Sequence, residues 1–161
     1  SPLYLHWPKK LEAGKTSDRV VAHIDILPTL LEACGAKVPT DVKLDGRSFW
    51  PLLTQENIDW QDRYITLQTH RGNVPMRYHN FMTRNQKWKL LHTSGFHTEN
   101  FKGDPKFELF DLENDPHEII DLSEDPAYAS ILSDLKEKLL NQQLSLNDPL
   151  DLSSIMDLVI K

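Results

Sequence analysis

Asn80-Phe81-Met82-Thr83-Arg84-Asn85-Gln86-Lys87-Trp88-Lys89-Leu90-Leu91-His92 decides the fold. Two short apolar runs flank Asn85-Gln86, a pair suited to a tight turn, so residues 80–84 and 87–92 predict a β-hairpin. Side chains alternate across a strand, which puts Lys89 and Leu91 on one face with Lys87. Trp88, Leu90 and His92 then share the other. Upstream, Tyr64-Ile65-Thr66-Leu67-Gln68-Thr69 alternates in the same way, and downstream Phe107 to Leu112 makes a fourth strand, ended by Asn114-Asp115-Pro116. Four strands with short links predict an antiparallel sheet. Asp125-Pro126 opens a helix that runs to about Gln143. Its apolar stripe is Ile131, Leu132, Leu135, Leu139 and Leu140.

The N-terminal third reads differently. Leu3 to Trp7 is an apolar run between two prolines and suits a buried strand. Asp25 to Gly35 reads as a short helix, with Asp25 as N-cap, Pro28 tolerated in the first turn and Gly35 as the stop. Leu27, Leu30, Leu31 and Cys34 form its apolar stripe, which makes Cys34 a core thiol rather than a nucleophile. Asp45-Gly46 is a turn, and Ser48 to Leu53 is an apolar plug. One strand and one helix cannot close a core alone, so residues 1–62 are expected to drape on the small sheet or to leave apolar surface for a second copy, and 144–161 is expected to be a tail.

The 161 residues are 39% hydrophobic and 26% charged, with a mean hydropathy of −0.48. No stretch approaches the roughly 20 apolar residues that span a bilayer, so no membrane partner is expected. A single cysteine excludes an internal disulfide and a cysteine-built zinc site. The net charge of −6 conceals an asymmetry. Residues 63–103 hold seven Lys/Arg against Glu99 alone, with His70, His79, His92 and His97 besides; residues 104–161 hold four lysines against fourteen acids. The basic block favours an anionic ligand, or else balances the acidic third within the fold. An acidic chain with a pI near 5.6 disfavours nucleic acid.

Catalytic sets are hard to assemble. His23 and Asp25 stand two apart, but capping explains Asp25. Asp111, Glu113 and Asp115 have the opening spacing of a calcium loop, yet Pro116 and His117 follow where its turn glycine belongs. No Gly-rich phosphate loop and no Gly-x-Ser-x-Gly elbow occurs.

The order of several short motifs carries more. Leu5-His6-Trp7-Pro8, His23-Ile24-Asp25-Ile26-Leu27-Pro28-Thr29-Leu30-Leu31, Leu44-Asp45-Gly46-Arg47-Ser48 and Pro51-Leu52-Leu53 come first. Thr83-Arg84 with Lys87-Trp88-Lys89-Leu90 follows, then Glu108-Leu109-Phe110-Asp111-Leu112-Glu113-Asn114-Asp115-Pro116-His117-Glu118 with Asp121-Leu122. Through residues 2–143 this series resembles the second half of type I sulfatases, of the alkaline phosphatase superfamily. The resemblance implies an α+β fold: a four-stranded antiparallel sheet packed by a C-terminal helix, preceded by the last strand and helix of a truncated α/β sulfatase domain. Residues 1–62 would be the remnant of that large domain and 63–143 the entire small one.

The resemblance also implies what the chain lacks. Sulfatases carry Cys/Ser-x-Pro-x-Arg, whose first residue becomes formylglycine, and a calcium ion held by Asp and Asn. No such motif occurs here, so both cofactors are expected only in the full-length protein, with their ligands absent from this chain. No residue is therefore predicted to be catalytic or metal-binding. The small domain borders the family's cleft, and Gln68-Thr69-His70-Arg71-Gly72-Asn73 follows a strand directly. His70 and Arg71 are the predicted substrate-binding residues, since a guanidinium grips a sulfate with two parallel bonds; the alternative is a solvated hairpin tip. The expected ligand is a sulfated sugar or aryl sulfate. A phosphoester or phosphonate hydrolase, marked by a Thr nucleophile upstream, and a non-catalytic module for anionic glycans are the competing readings. A periplasmic or secreted location is expected for the full-length protein, and a homo-oligomer through residues 1–55.

Overall fold

The computed structural model describes residues 2–38, 40–55, 57–69, 80–93 and 106–145, leaving aside the side chains of 140 and 142–145. The chain divides into two compact units, Ser1–Asp62 and Arg63–Lys161.

In the first unit a 3-10 turn, His23–Asp25, runs into α1, Ile26–Ala33; α2 is Trp50–Thr54. Asp25 is fully buried and organises the unit. Its Oδ2 accepts the Ala22 N–H at 2.7 Å and its Oδ1 the Arg47 N–H at 2.9 Å. One turn on, buried Thr29 donates to the Asp25 carbonyl at 2.6 Å and accepts the Phe49 N–H at 3.0 Å. Gly46 permits this junction: a Cβ there would stand 2.0 Å from the Ile24 carbonyl oxygen. Phe49 and Leu52 are buried, and the Trp7 and Trp50 rings meet at 5.9 Å. α1 ends in a Schellman motif: Gly35 takes φ +68°, its N–H reaches the Glu32 carbonyl, and the Ala36 N–H reaches Leu31.

Three local expectations are corrected here. Asp25 precedes α1 but is not its side-chain cap. Its φ and ψ of −83° and −13° are already helical, whereas a cap needs extended geometry to aim its oxygen at the next amides. α1 buries the face of Asp25 and Thr29, so Leu27 and Leu30 stand 53% and 51% exposed and Cys34 is exposed too. The paired hydrogen bonds at Asp25 and Thr29 win over the leucine stripe. Leu3 to Trp7 forms no strand; Leu3, Leu5 and Trp7 are exposed, because among the described residues no strand lies alongside to complete its ladder.

The second unit matches its expected architecture. Strands β1 (Ile65–Gln68), β2 (Phe81–Arg84), β3 (Trp88–His92) and β4 (Glu108–Asp111) form an antiparallel meander in chain order. Ile65 pairs with Arg84, Thr83 with Leu90, and Leu90 with Leu109. At the β2–β3 turn Asn85 Oδ1 accepts the amides of Lys87 and Trp88 at 3.0 and 2.7 Å, which is why an asparagine stands there. β4 is an edge strand that the chain itself covers: Leu122 N–H bonds the Leu109 carbonyl, and Asp121 accepts the Leu109 N–H.

Asp125 does cap, accepting the Ala127 N–H at 2.9 Å from extended backbone. After a 3-10 turn, Pro126–Tyr128, helix α3 runs over Ala129–Ser145. Leu90, Leu109 and Leu135 form the buried core between sheet and helix, flanked by Trp88, Phe107, Leu122, Tyr128, Ile131 and Leu132. No described helix is long and apolar enough to cross a membrane.

Candidate functional site

An antiparallel meander places its alternate connections at opposite ends. The C-terminal end of β1, the N-terminal end of β2, the C-terminal end of β3 and the N-terminal end of β4 therefore lie at one end of the sheet. The β1–β2 and β3–β4 connections start and finish at this end; residues 70–79 belong to the first and 94–105 to the second. The root of the first is closed by the Thr69 N–H bonding the Asn80 carbonyl at 2.9 Å. That of the second is closed by buried His92, whose Nδ1 lies 2.6 Å from the Lys106 carbonyl oxygen and donates to it. Phe81, His92 and Phe107 stack between the two roots, their ring centroids 5.4 to 6.0 Å apart. Lys136 of α3 lays its ammonium 4.6 Å from the Phe107 ring centre, and burial lowers its pKa below the ordinary lysine value. His70 and Arg71 lie outside the described residues, as do Arg77, His79, His97 and Lys102.

The other cations of the basic block hold the fold. Lys87 pairs with Glu113 at 2.8 Å and stands 3.6 Å from Asp111; Lys89 pairs with Glu118 at 2.5 Å. The acids read against a calcium loop close a turn instead. Asp111 Oδ1 accepts the amides of Glu113 and Asn114, and its Oδ2 accepts the Asn114 side-chain amide. Asp115 Oδ2 accepts the amides of Ile119 and Ile120 across Glu118, which takes φ +55°. Among the described residues no three His, Cys, Asp or Glu side chains converge as a metal set would. The described residues thus do not fit a calcium site.

An open pocket of about 390 Å³ lies at the opposite end of the sheet, bounded by Tyr64, Asn85, Trp88, Ser130, Ile131 and Asp134 with Leu135 beneath. The Tyr64 hydroxyl donates to Asp134 Oδ2 at 2.9 Å, bridging 70 residues of sequence. Sequence reasoning passed over this group because its members lie on three elements. The available signal was an aromatic residue at or next to the start of two predicted strands, Tyr64 and Trp88.

Residues 1–145 match the family of N-sulphoglucosamine sulphohydrolase C-terminal regions. The Ulvan-active sulfatase of Formosa agariphila is 30% identical, over 89% of this chain and 32% of that protein. The N-acetylglucosamine-6-O-sulfatase of Bacteroides thetaiotaomicron is 29% identical, over 92% of this chain and 26% of its own length. Among solved structures, BT4656 in complex with its substrate D-glucosamine-2-N,6-O-disulfate superposes with a TM-score of 0.62 at 26% identity, over 89% of this chain and 28% of that one. The chain thus spans about a quarter to a third of the length of these relatives.

Proposed function

The chain belongs to the N-sulphoglucosamine sulphohydrolase C-terminal family of sulfatases, and from that premise we propose that it is the substrate-recognition part of an enzyme hydrolysing sulfate esters of glycans. The ordered match over residues 1–145 carries this reading. The named activities of the relatives support a sulfated sugar as substrate. The return of the β1–β2 and β3–β4 connections to one end of the sheet supports a recognition role, since residues 70–79 carry His70, Arg71, Arg77 and His79 with no acid among them. Residues 1–62 contribute to the large α/β domain that holds the nucleophile and its metal. The chain by itself hydrolyses no sulfate ester, having no Cys/Ser-x-Pro-x-Arg motif.

His70 and Arg71 grip the anionic substrate. A guanidinium supplies two parallel hydrogen bonds and an imidazole a third. The test is Arg71→Ala in the full-length enzyme. KM for a sulfated oligosaccharide should rise roughly ten- to a hundredfold, the equivalent of about 1.5–3 kcal/mol for hydrogen bonds to a charged group. A small aryl sulfate should be hydrolysed almost normally, and Arg71→Lys should rescue only in part. Equal losses on both substrates, or no loss on either, would overturn the role.

A further inference from the structure

We propose that the pocket between Tyr64, the β2–β3 turn and the first turns of α3 is an accessory binding site for a neutral, hydroxyl-rich saccharide unit. This goes beyond sulfate recognition at His70 and Arg71. Tyr64 immediately precedes β1, four residues and roughly 13 Å along the strand from Gln68. No residue lining the pocket falls within 70–79 or 94–105.

The lining has the chemistry a sugar ring requires. At about 390 Å³ the pocket is at the small end of ligand sites and suits a short saccharide. Tyr64 and Trp88, whose rings also meet the ammoniums of Lys138 and Lys87 at 5.8 and 5.2 Å, line the pocket with aromatic surface for the apolar C–H face of a pyranose, and Ile131 supplies aliphatic surface beside them. The indole is held in place by an edge contact with Tyr128, with ring centres 5.7 Å apart. Asn85 is fixed through its Oδ1 by two backbone amides, so its Nδ2 is the donor it offers. Asp134 accepts from the Tyr64 hydroxyl and remains 49% exposed, with lone pairs for sugar hydroxyls. Ser130 both donates and accepts.

Electrostatics select a neutral ligand. Among the described residues Asp134 is the one charged side chain in the lining; the nearby lysines are already paired, Lys138 standing 3.9 Å from Asp134 and Lys87 2.8 Å from Glu113, so no unpaired cation is left to hold a sulfate. A sulfate placed here would meet a carboxylate, whereas a hydroxyl would be welcomed by it. The site thus suits the unsulfated stretches of a polymer whose sulfated units are read elsewhere.

The experiment is an NMR titration of the 161-residue chain with the unsulfated tetramer of N-acetylglucosamine. It runs to about 20 mM, where a site of millimolar affinity is nearly full. The Trp88 indole N–H and the Asn85 side-chain amide should shift together and saturate. Tyr64→Ala, which removes the platform, and Ser130→Arg, which fills the mouth from an exposed helix position, should each weaken binding at least tenfold. Absence of saturable shifts at Trp88 and Asn85, or parental affinity in both variants, would overturn the proposal. Neither result depends on Arg71, so failure here and failure of sulfate recognition are read separately.

Discussion

Two aspartates that precede proline-containing helices show how much one backbone angle decides. Asp125 sits at ψ 118° and caps; Asp25 sits at ψ −13° and turns its carboxylate back to Ala22 and across to Arg47. Asp125→Ala should therefore cost about 1 kcal/mol, the usual worth of a cap, in urea unfolding of the second unit. Gly46→Ala should cost more, about 1–3 kcal/mol, because the new methyl meets backbone that cannot move without breaking the Asp25 bonds. A Gly46→Ala chain as stable as the parent would show that this junction is looser than its 2.0 Å approach implies. Asp111 adds a pH dependence. Burial pushes its carboxyl up, but the hydrogen bonds from Asn114 and Glu113, with Lys87 nearby, outweigh this and hold it below the ordinary 3.8. A depressed folded-state pKa contributes stability that is present above the unfolded value and lost as pH falls through the folded one. Thermal scans should thus show the second unit weakening below about pH 4, and Asp111→Asn should flatten that slope while lowering stability at neutral pH.

At the scale of elements, the sheet was legible because each local signal agreed with the next. Period-two alternation, Asn85 at the turn and Asn114-Asp115-Pro116 after β4 all specified the same meander, and the Leu90–Leu109–Leu135 core followed from it. Leu135→Ala, which hollows that fully buried contact, should cost about 2–5 kcal/mol in the same unfolding assay, with exposed Ala129 and Ser130 on α3 far more tolerant. α1 was misread for the opposite reason. Its leucine stripe is a helix pattern, but the face that packs is chosen by Asp25 and Thr29, whose partners at Arg47 and Phe49 are some twenty residues away. Leu3 to Trp7 likewise has a strand's composition, and a strand exists only with a neighbour. The group at Tyr64, Trp88 and Asp134 was legible only as aromatic residues near two strand starts, because tertiary contact brings Asp134 to them. His70 and Arg71 were singled out through the order of family motifs and the local charge, and they lie outside the described residues.

For the molecule as a whole, the two units differ in how completely they cover their apolar groups. The second closes a core of its own. The first buries Phe49 and Leu52 but leaves Leu3, Tyr4, Leu5, Trp7, Leu27 and Leu30 exposed, all within residues 1–55. Apolar surface beyond a few hundred Å² on a soluble protein normally finds a partner. The 161-residue chain is therefore expected to self-associate through residues 1–55, with light scattering giving a dimer or larger species whose share grows with concentration. Cys34 provides an internal reporter, since it is exposed on the helix that carries Leu27 and Leu30. Under reducing conditions its thiol should alkylate readily in dilute solution and more slowly as the assembly forms. Replacing Leu27 and Leu30 together by Gln should restore the monomer and make the alkylation rate independent of concentration, while leaving the Asp25–Thr29 bonds on the opposite face intact. A parent chain that stays monomeric at high concentration, with Cys34 equally reactive throughout, would show that this surface is tolerated bare.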